Sequence, residues 1–437
     1  MYFKSKKINK ISNNFSCYLI IILPAALISG PFIPDLIISI CSIILIFSLR
    51  EKKYFTNYFL LFFLLSCCYF ILSSMESFDI NLSFESSLFY FRFGLFSIFF
   101  WYLINYKVDL LKNIFLTISL CFIVLFIDTM NQYFTGLNLL NMKIIEENRL
   151  SSLFGDELIL GSYLSRIFPI FAALYFHLYY KKKSNSQIIL KIAFLLILEF
   201  TVFLSGERTA FFLLNFSILL FLIFLNGYKL EKYLILFFVG IFGFFLISVN
   251  SIYKHRIIDN SLDQMGLTDS DAVVHIFSKQ HSEHYIVALD MFKENYLMGI
   301  GPKNFRVLCK AKKYQLSKNT CTTHPHNTYI QLLSETGIIG FFIGFSTLIF
   351  IWYILFKSLF YKLFKKKLLY SNFQISLLIS ISLSLWPLVP SGNFFNNWLS
   401  VIYYLPVGML LWSFQNNKKI YLNFNHIFFF KYLILNE

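Results

Sequence analysis

The sequence predicts an all-α, polytopic membrane helix bundle, and three observations predict it. Of 437 residues, 57% are hydrophobic, 20% aromatic and only 14% charged, a balance foreign to soluble globular domains. The apolar residues fall in runs near the roughly 20 residues that cross a bilayer as helix. The basic residues gather in alternate connectors between those runs, as cytoplasmic loops of membrane proteins do.

About twelve spans follow in order: 15–30 and 34–49, a hairpin around Gly30-Pro31, then 54–74, 87–105, 110–130, 158–180, 186–204, 208–226, 231–250, 337–357, 373–390 and 394–414. Lys4 to Lys10, Arg50 to Lys53, Lys107 and Lys112, Lys181 to Lys183, Lys229 and Lys232, Lys362 to Lys367, and Lys418 and Lys419 mark one side. The connectors at 30–34, 75–86, 204–208 and 390–394 carry almost no positive charge. Both termini are therefore expected in the cytoplasm, with Lys4 to Lys10 opening a signal anchor. The net charge of +15 is thus an orientation signal, and no nucleic-acid partner is expected.

This topology divides the chain into a first bundle (1–250, nine spans), a large, mostly helical periplasmic loop (251–336), three further spans (337–414) and a cytoplasmic tail (415–437). A smaller outer loop covers 131–157. Six of the eight histidines, His255, His275, His281, His284, His324 and His326, lie in the large loop. Within it, 270–298 predicts a helix with Ile286, Leu289, Phe292 and Leu297 on one face. Met298 to Arg306 is a Gly/Pro turn into a second short element, and 310–323 is irregular. Cys309 and Cys321 are the only cysteines of this loop and are expected to pair, with free thiols as the alternative. The other five lie in spans as small apolar residues.

The stretch from Cys321 to Gly340, CTTHPHNTYIQLLSETGIIG, carries the densest chemistry. After Pro325, Asn327, Gln331 and Glu335 recur every four residues, opposite Ile330, Leu332 and Leu333. That pattern predicts a short amphipathic helix, ended or bent at Thr336-Gly337 and resting on the membrane surface. Asn327 stands where a helix cap belongs, and Glu335 where it could bind backbone or a loop cation. Charges at span ends are costly and mark candidate sites. Arg208 opens a span, where the helix dipole already favours an anion; pairing with Glu207 or with lipid phosphate is the bland reading. Arg92 and Arg166 lie in the outer third of their spans, to pair with an acid such as Glu85 or Glu157 or to bind ligand. His324, His326 and Cys321 lack zinc spacing, so no metal and no cofactor are expected.

Three segments together resemble one family. HPHNTYIQLLSETGIIG is similar to the His-Asn...Glu-x-Gly-x-x-Gly signature of the bacterial O-antigen ligase and polymerase superfamily, SGERTAFF to its arginine motif at a span start, and NYLMGIGPKNF to its glycine turn. The resemblance implies a bundle similar to membrane glycosyltransferases that use polyprenyl-linked donors. It implies an inner-membrane enzyme that moves a glycan, on the periplasmic side and without metal, from undecaprenyl diphosphate to a sugar hydroxyl with inversion. His326 matches the family's essential histidine and Arg208 its first arginine. The second arginine has no counterpart; His281 and His284 stand in its place, and Arg256 or Arg306 are the other cations able to approach. Asn327, Glu335, Arg92 and Arg166 complete the expected substrate-binding set.

The physical chemistry agrees, since a diphosphate leaving group needs fixed cations and an attacking hydroxyl needs a base. Ligation to lipid A-core is the first expectation, with polymerisation of repeat units or transfer to protein as alternatives. From another class, a flippase for lipid-linked oligosaccharide would place charge along a midplane cavity with repeated halves, which this sequence does not show.

Overall fold

The computed structural model describes residues 2–48, 51–146, 149–179, 185–249, 254–265, 267, 277–317 and 320–415. Its helices are α1 (Tyr2–Ala26), α2 (Phe32–Ser48), α3 (Lys52–Phe55), α4 (Tyr58–Met75), α5 (Ile80–Ser87), α6 (Phe91–Tyr106), α7 (Leu110–Thr135), α8 (Leu160–Tyr179), α9 (Asn185–Leu204), α10 (Arg208–Phe224), α11 (Lys229–Val249), α12 (Asn260–Gln264), α13 (Lys279–Glu294), α14 (Phe305–Leu308), α15 (Thr328–Phe364), α16 (Asn372–Ser384) and α17 (Asn397–Gln415). No strand occurs among the described residues; Leu137 with Lys143 and Glu146 with Arg149 form isolated bridges.

Each expected span overlaps a helix, although 54–74 takes in parts of both α3 and α4 and 373–390 runs past the end of α16 at Ser384. Six segments are long and apolar enough to cross a membrane: Lys10–Ser29, Tyr58–Met75, Ile80–Tyr106, Leu110–Thr135, Ser186–Leu204 and Thr328–Phe364. Phe32–Phe47, Arg208–Phe224 and Asn372–Ser384 are shorter apolar helices. This is a multi-pass membrane protein, and its helices satisfy their own backbone polar groups where no water can. Polar side chains set the ends: Asn57 caps α4, Asp79 caps α5, and Ser371 with Gln374 forms a capping box on α16. Expectations for Lys181 to Lys183, His275, residues 270–276 and the tail beyond Gln415 lie outside the described residues.

Helix α8 is the inner post, packed on α7, α10 and α16, while α6 packs on α2 and α17. At one end of the bundle Asn226 and Asn372 exchange hydrogen bonds, Asn226 N to Asn372 Oδ1 (2.8 Å) and Asn372 Nδ2 to Asn226 O (3.0 Å). The other end carries the described parts of the large loop and of the 131–157 loop, and the turns at 76–79, 205–207 and 385–396.

Two expectations are corrected here. The helix at Thr328–Thr336 does not lie on a surface with its polar stripe in water: Gln331, Ser334, Glu335 and Thr336 are fully buried. The protein folds its own loop over that stripe, which supplies the hydrogen bonds water would have made. In the loop, α13 runs only from Lys279 to Glu294, and its buried face is Tyr285, Val287, Ala288 and Met291, while Ile286 and Leu297 are exposed. The buried stripe meets Ile300, Phe305, Cys309 and Tyr314, a partner surface the helix's own periodicity could not announce. Cys309 and Cys321 form a disulfide across this lobe, with Cα atoms 5.1 Å apart.

Helix α15 bends at Gly337, whose φ of +64° is left-handed. A Cβ there would run into Leu297 O. Gly337→Ala is expected to combine that clash with the strain of positive φ, destabilising by at least about 1 kcal/mol and lowering the melting temperature of the detergent-purified protein. An unchanged melting temperature would mean the bend tolerates a side chain.

Candidate active site

The bend at Gly337 is clasped by the glycine turn. Ile300 N donates to Ser334 O (2.9 Å), Gly301 N to Glu335 O (2.9 Å) and Ile338 N to Tyr296 O (2.8 Å). Gly299 and Gly301 both have positive φ, and a Cβ on Gly299 would strike the Glu335–Gly337 backbone. These glycines therefore serve close backbone approach. From α4, Tyr69 Oη donates to Thr336 O (2.5 Å) and Ser73 Oγ to Met298 O (2.7 Å). The Glu335 carboxylate accepts Gln331 Nε2 (2.8 Å) and Phe305 N (3.4 Å), and Gln331 Oε1 accepts Phe394 N (2.9 Å). Glu335 thus joins the bend, the 303–306 turn and the 385–396 segment.

That segment also fixes the histidines. Ser391 N donates to His326 O (2.8 Å), Asn327 Nδ2 to Pro387 O (2.8 Å) and Thr328 Oγ1 to Ser391 Oγ (2.9 Å). Asn327 Oδ1 caps α15 by accepting Tyr329 N and Ile330 N. His326 itself sits at φ +59°, a conformation that costs a non-glycine residue on the order of 1 kcal/mol and that clusters at functional sites. Its ring centroid lies 4.2 Å from that of His324, 5.4 Å from His281 and 5.5 Å from His284. Residues far apart in the loop sequence are thereby gathered around one imidazole.

His281, His324 and His326 are held neutral. Burial, then the three neighbouring imidazoles, holds His326 down at about 3. Burial holds His281 at about 4, with His284 and the Arg208 guanidinium adding to it, and holds His324 at about 4 with Arg306 contributing. Ser391 O, a pure acceptor, lies 3.1 Å from His324 Nε2. The His324 proton is therefore on Nε2, and Nδ1 takes the Thr323 hydroxyl at 2.9 Å. His326 Nε2 lies 3.3 Å from Thr322 Oγ1.

Three arginines meet at the 205–208 turn. Arg208 Nη1 donates to Ser261 Oγ (3.1 Å), Arg256 Nε donates to Gly206 O (2.9 Å), and Arg149 Nη2 donates to Leu158 O (3.1 Å). Arg149 lies close enough to Arg208 for their charges to interact. Glu146 faces both Arg149 and Arg256 at 3.6 Å. Glu207 does not pair with Arg208: its carboxylate accepts Gly161 N (2.6 Å) and Ser162 Oγ (2.7 Å), capping α8. Arg149 is presented by a loop that Asp128, Gln132 and Asn138 organise from below, Asn138 Nδ2 donating to Ser152 O and Gln132 Oε1 accepting Ser152 N.

Of the expected site residues, His281, His284, His324 and His326 converge, with Arg208 beside His281 and Arg306 acting on His324. Arg92 is elsewhere. It pairs with Asp35 at 2.8 Å, not with Glu85 or Glu157, because α2 packs on α6 and brings Asp35 beside its first turn. Arg166 is 8% exposed inside α8, with Nη1 donating to Ser162 O (3.3 Å) and Nε without a partner among the described residues. Arg149, Lys303 and the Pro387–Ser391 clamp were not singled out by sequence. Arg149 stands beside two glutamates in a polar loop, and such residues read as solvated. Among the described residues no group of three or more His, Cys, Asp or Glu is arranged for a metal ion.

Fold and site together define a helical membrane protein with a histidine and arginine centre at one end of its bundle. Residues 192–345 match the family described as O-Antigen ligase, which supports the superfamily resemblance and a ligase- or polymerase-type function. The match reaches from α9 through Arg208 and the loop to just past the bend. No curated protein matches the chain.

The neutral cluster has a consequence for stability. Folded pKa values of about 3 to 4 lie below the roughly 6.5 of free histidine. Between those limits the unfolded chain binds protons that the folded one refuses, so stability falls as pH falls. Melting temperature is expected to drop from pH 6.5 to 4, and replacing His281 and His324 by Gln should flatten that slope; an equal slope in the variant would place the acid sensitivity elsewhere.

Proposed function

We propose that the chain is a glycosyltransferase that moves a glycan from undecaprenyl diphosphate to a sugar hydroxyl, on the periplasmic side of the bacterial inner membrane. The observation that carries this is the meeting of His326, neutral and half-buried, with the arginines of the 205–208 turn through His281. The acceptor oxygen bonds to the anomeric carbon as the bond to the diphosphate breaks, with inversion, and the hydroxyl proton passes to His326. Arg208, with Arg149 and Arg256, receives the charge that develops on the leaving diphosphate, which needs no metal in this reading.

Base strength arrives with the donor. On its own His326 is too weak a base for neutral pH, but a bound diphosphate favours the imidazolium and raises its pKa toward the useful range. Glu335, Gln331 and Asn327 position the His326 segment through backbone and helix-cap contacts. Elsewhere, an apolar groove of about 670 Å³ among α4, α15, α16 and α17, lined by Phe62, Phe70, Ile351, Leu378, Tyr403 and Phe414, suits a lipid chain. This reading takes twelve membrane crossings, with residues 251–336 as the periplasmic loop, both termini cytoplasmic, and lipid A-core as acceptor. Polymerisation of repeat units uses the same centre and is the second reading.

The purified protein, given undecaprenyl-diphosphate glycan with and without rough lipopolysaccharide, should yield product only with lipopolysaccharide. A ladder without it would establish the polymerase, and no product at all would count against glycosyl transfer. His326→Ala should abolish transfer, and Arg208→Lys should cost roughly 10²-fold or more, since a point charge replaces a fork. Wild-type rates in either would remove the assigned role. The acid limb of kcat should lie at higher pH than that of kcat/KM, because the donor raises the base; coincident limbs would refute that coupling.

A further inference from the structure

We propose that Lys303 and Arg306 form a second anion-binding site beside His324, which receives an acidic group, phosphate or carboxylate, carried by the acceptor glycan. The inference rests on the transfer reading above and names the chemistry of its acceptor.

The site is built by a fixed backbone. Lys303 takes φ +63°, in the left-handed region that lysine rarely occupies. Both its neighbours are tied down: Pro302 O accepts Ser83 Oγ (2.9 Å), and Asn304 accepts Asp79 N at Oδ1 (2.8 Å) while donating from Nδ2 to Ser83 Oγ (2.6 Å). Phe305 N is held by Glu335 Oε1 (3.4 Å). The chain is thus pinned on each side of Lys303, and Arg306 follows on the first turn of α14.

The two cations are unmet. Lys303 is partly buried, and no hydrogen bond or ion pair of its ammonium occurs among the described residues. Arg306 Nε is buried with no partner among them. The two cations repel each other, and Arg92 adds to that repulsion, so that burial and neighbouring positive charge lower the Lys303 pKa. Glu335 and then Glu85 act on Lys303 from a distance, but neither forms an ion pair with it among the described residues, and the Glu335 carboxylate already accepts Gln331 Nε2 and Phe305 N. Two half-buried like charges held by a strained backbone are costly unless an anion joins them.

That anion is distinct from the donor diphosphate. Arg208 acts on His281, in company with Arg149 and Arg256, whereas Arg306 acts on His324. Both imidazoles lean on His326. A base that takes a proton from one substrate while a second substrate's diphosphate departs must be approached by both, and here each approach has its own cations.

The test measures binding to the full-length, detergent-purified protein of three oligosaccharides of equal length: a phosphorylated lipopolysaccharide core, a uronate-containing chain and a neutral one. The acidic pair should bind about tenfold tighter than the neutral one, as one or two charge-assisted contacts provide. The Lys303→Met/Arg306→Gln double variant should lose that preference, Lys303→Arg should keep it, and the KM for donor should not move in either. A preference for only one of the two acids identifies the group. Absence of charge preference in the native protein, its survival in the double variant, or its loss in Arg208→Lys instead would overturn the proposal. A correctly melting double variant that loses acidic binding, in a protein showing no transfer, would leave the anion site standing and remove the transfer reading.

Discussion

The structure depends on the clasp between the glycine turn at 296–301 and the bend at Gly337. Three backbone hydrogen bonds join them, and positive φ at Gly299, Gly301 and Gly337 lets two main chains touch where side chains would keep them apart. The bend is what allows the first turns of α15 to leave the line of the membrane-crossing portion. Those first turns carry Asn327, Gln331 and Glu335, and His326 immediately precedes them. Tyr69 and Ser73 of α4 donate their hydroxyls to neighbouring carbonyls of the clasp, Thr336 O and Met298 O, so the clasp also docks the loop on the bundle.

From that clasp a line of hydrogen bonds reaches the chemistry. Glu335 holds the 303–306 turn, Gln331 holds Glu335 and the backbone at Phe394, and Ser391 of the same segment holds His324 and His326. A buried polar network of this kind is stabilising only when its members are satisfied together. It fixes the position of an imidazole whose own backbone conformation is unfavourable. The disulfide between Cys309 and Cys321 closes the chain just ahead of that imidazole, limiting how far the histidine segment can move from its clamp.

Charge is distributed in the same economical way. Acids near the centre are committed to structure: Glu207 caps α8, Glu335 binds the 303–306 turn, and Asp35 takes Arg92. Glu146 faces Arg149 and Arg256, while no acid pairs with Arg208 among the described residues, and His281, His324 and His326 are held neutral because burial and neighbouring positive charge oppose their protonation. An anionic substrate entering such a place meets both an attraction and a latent base.

The sequence by itself determined the helical membrane class, the order of the helices, the bend at Thr336-Gly337 and the cap at Asn327. Each of these is written in a short window: an apolar run, a glycine, a proline or an asparagine acts on its immediate neighbours. Tertiary structure alone decided that Arg92 meets Asp35, that Arg149 joins Arg208, that the polar stripe of Thr328–Thr336 faces protein and not water, and that Ser391 holds the histidines. Those pairings join residues tens of positions apart. Electrostatic and hydrogen-bond partners depend on distance in space, for which a local pattern of residue types carries no measure.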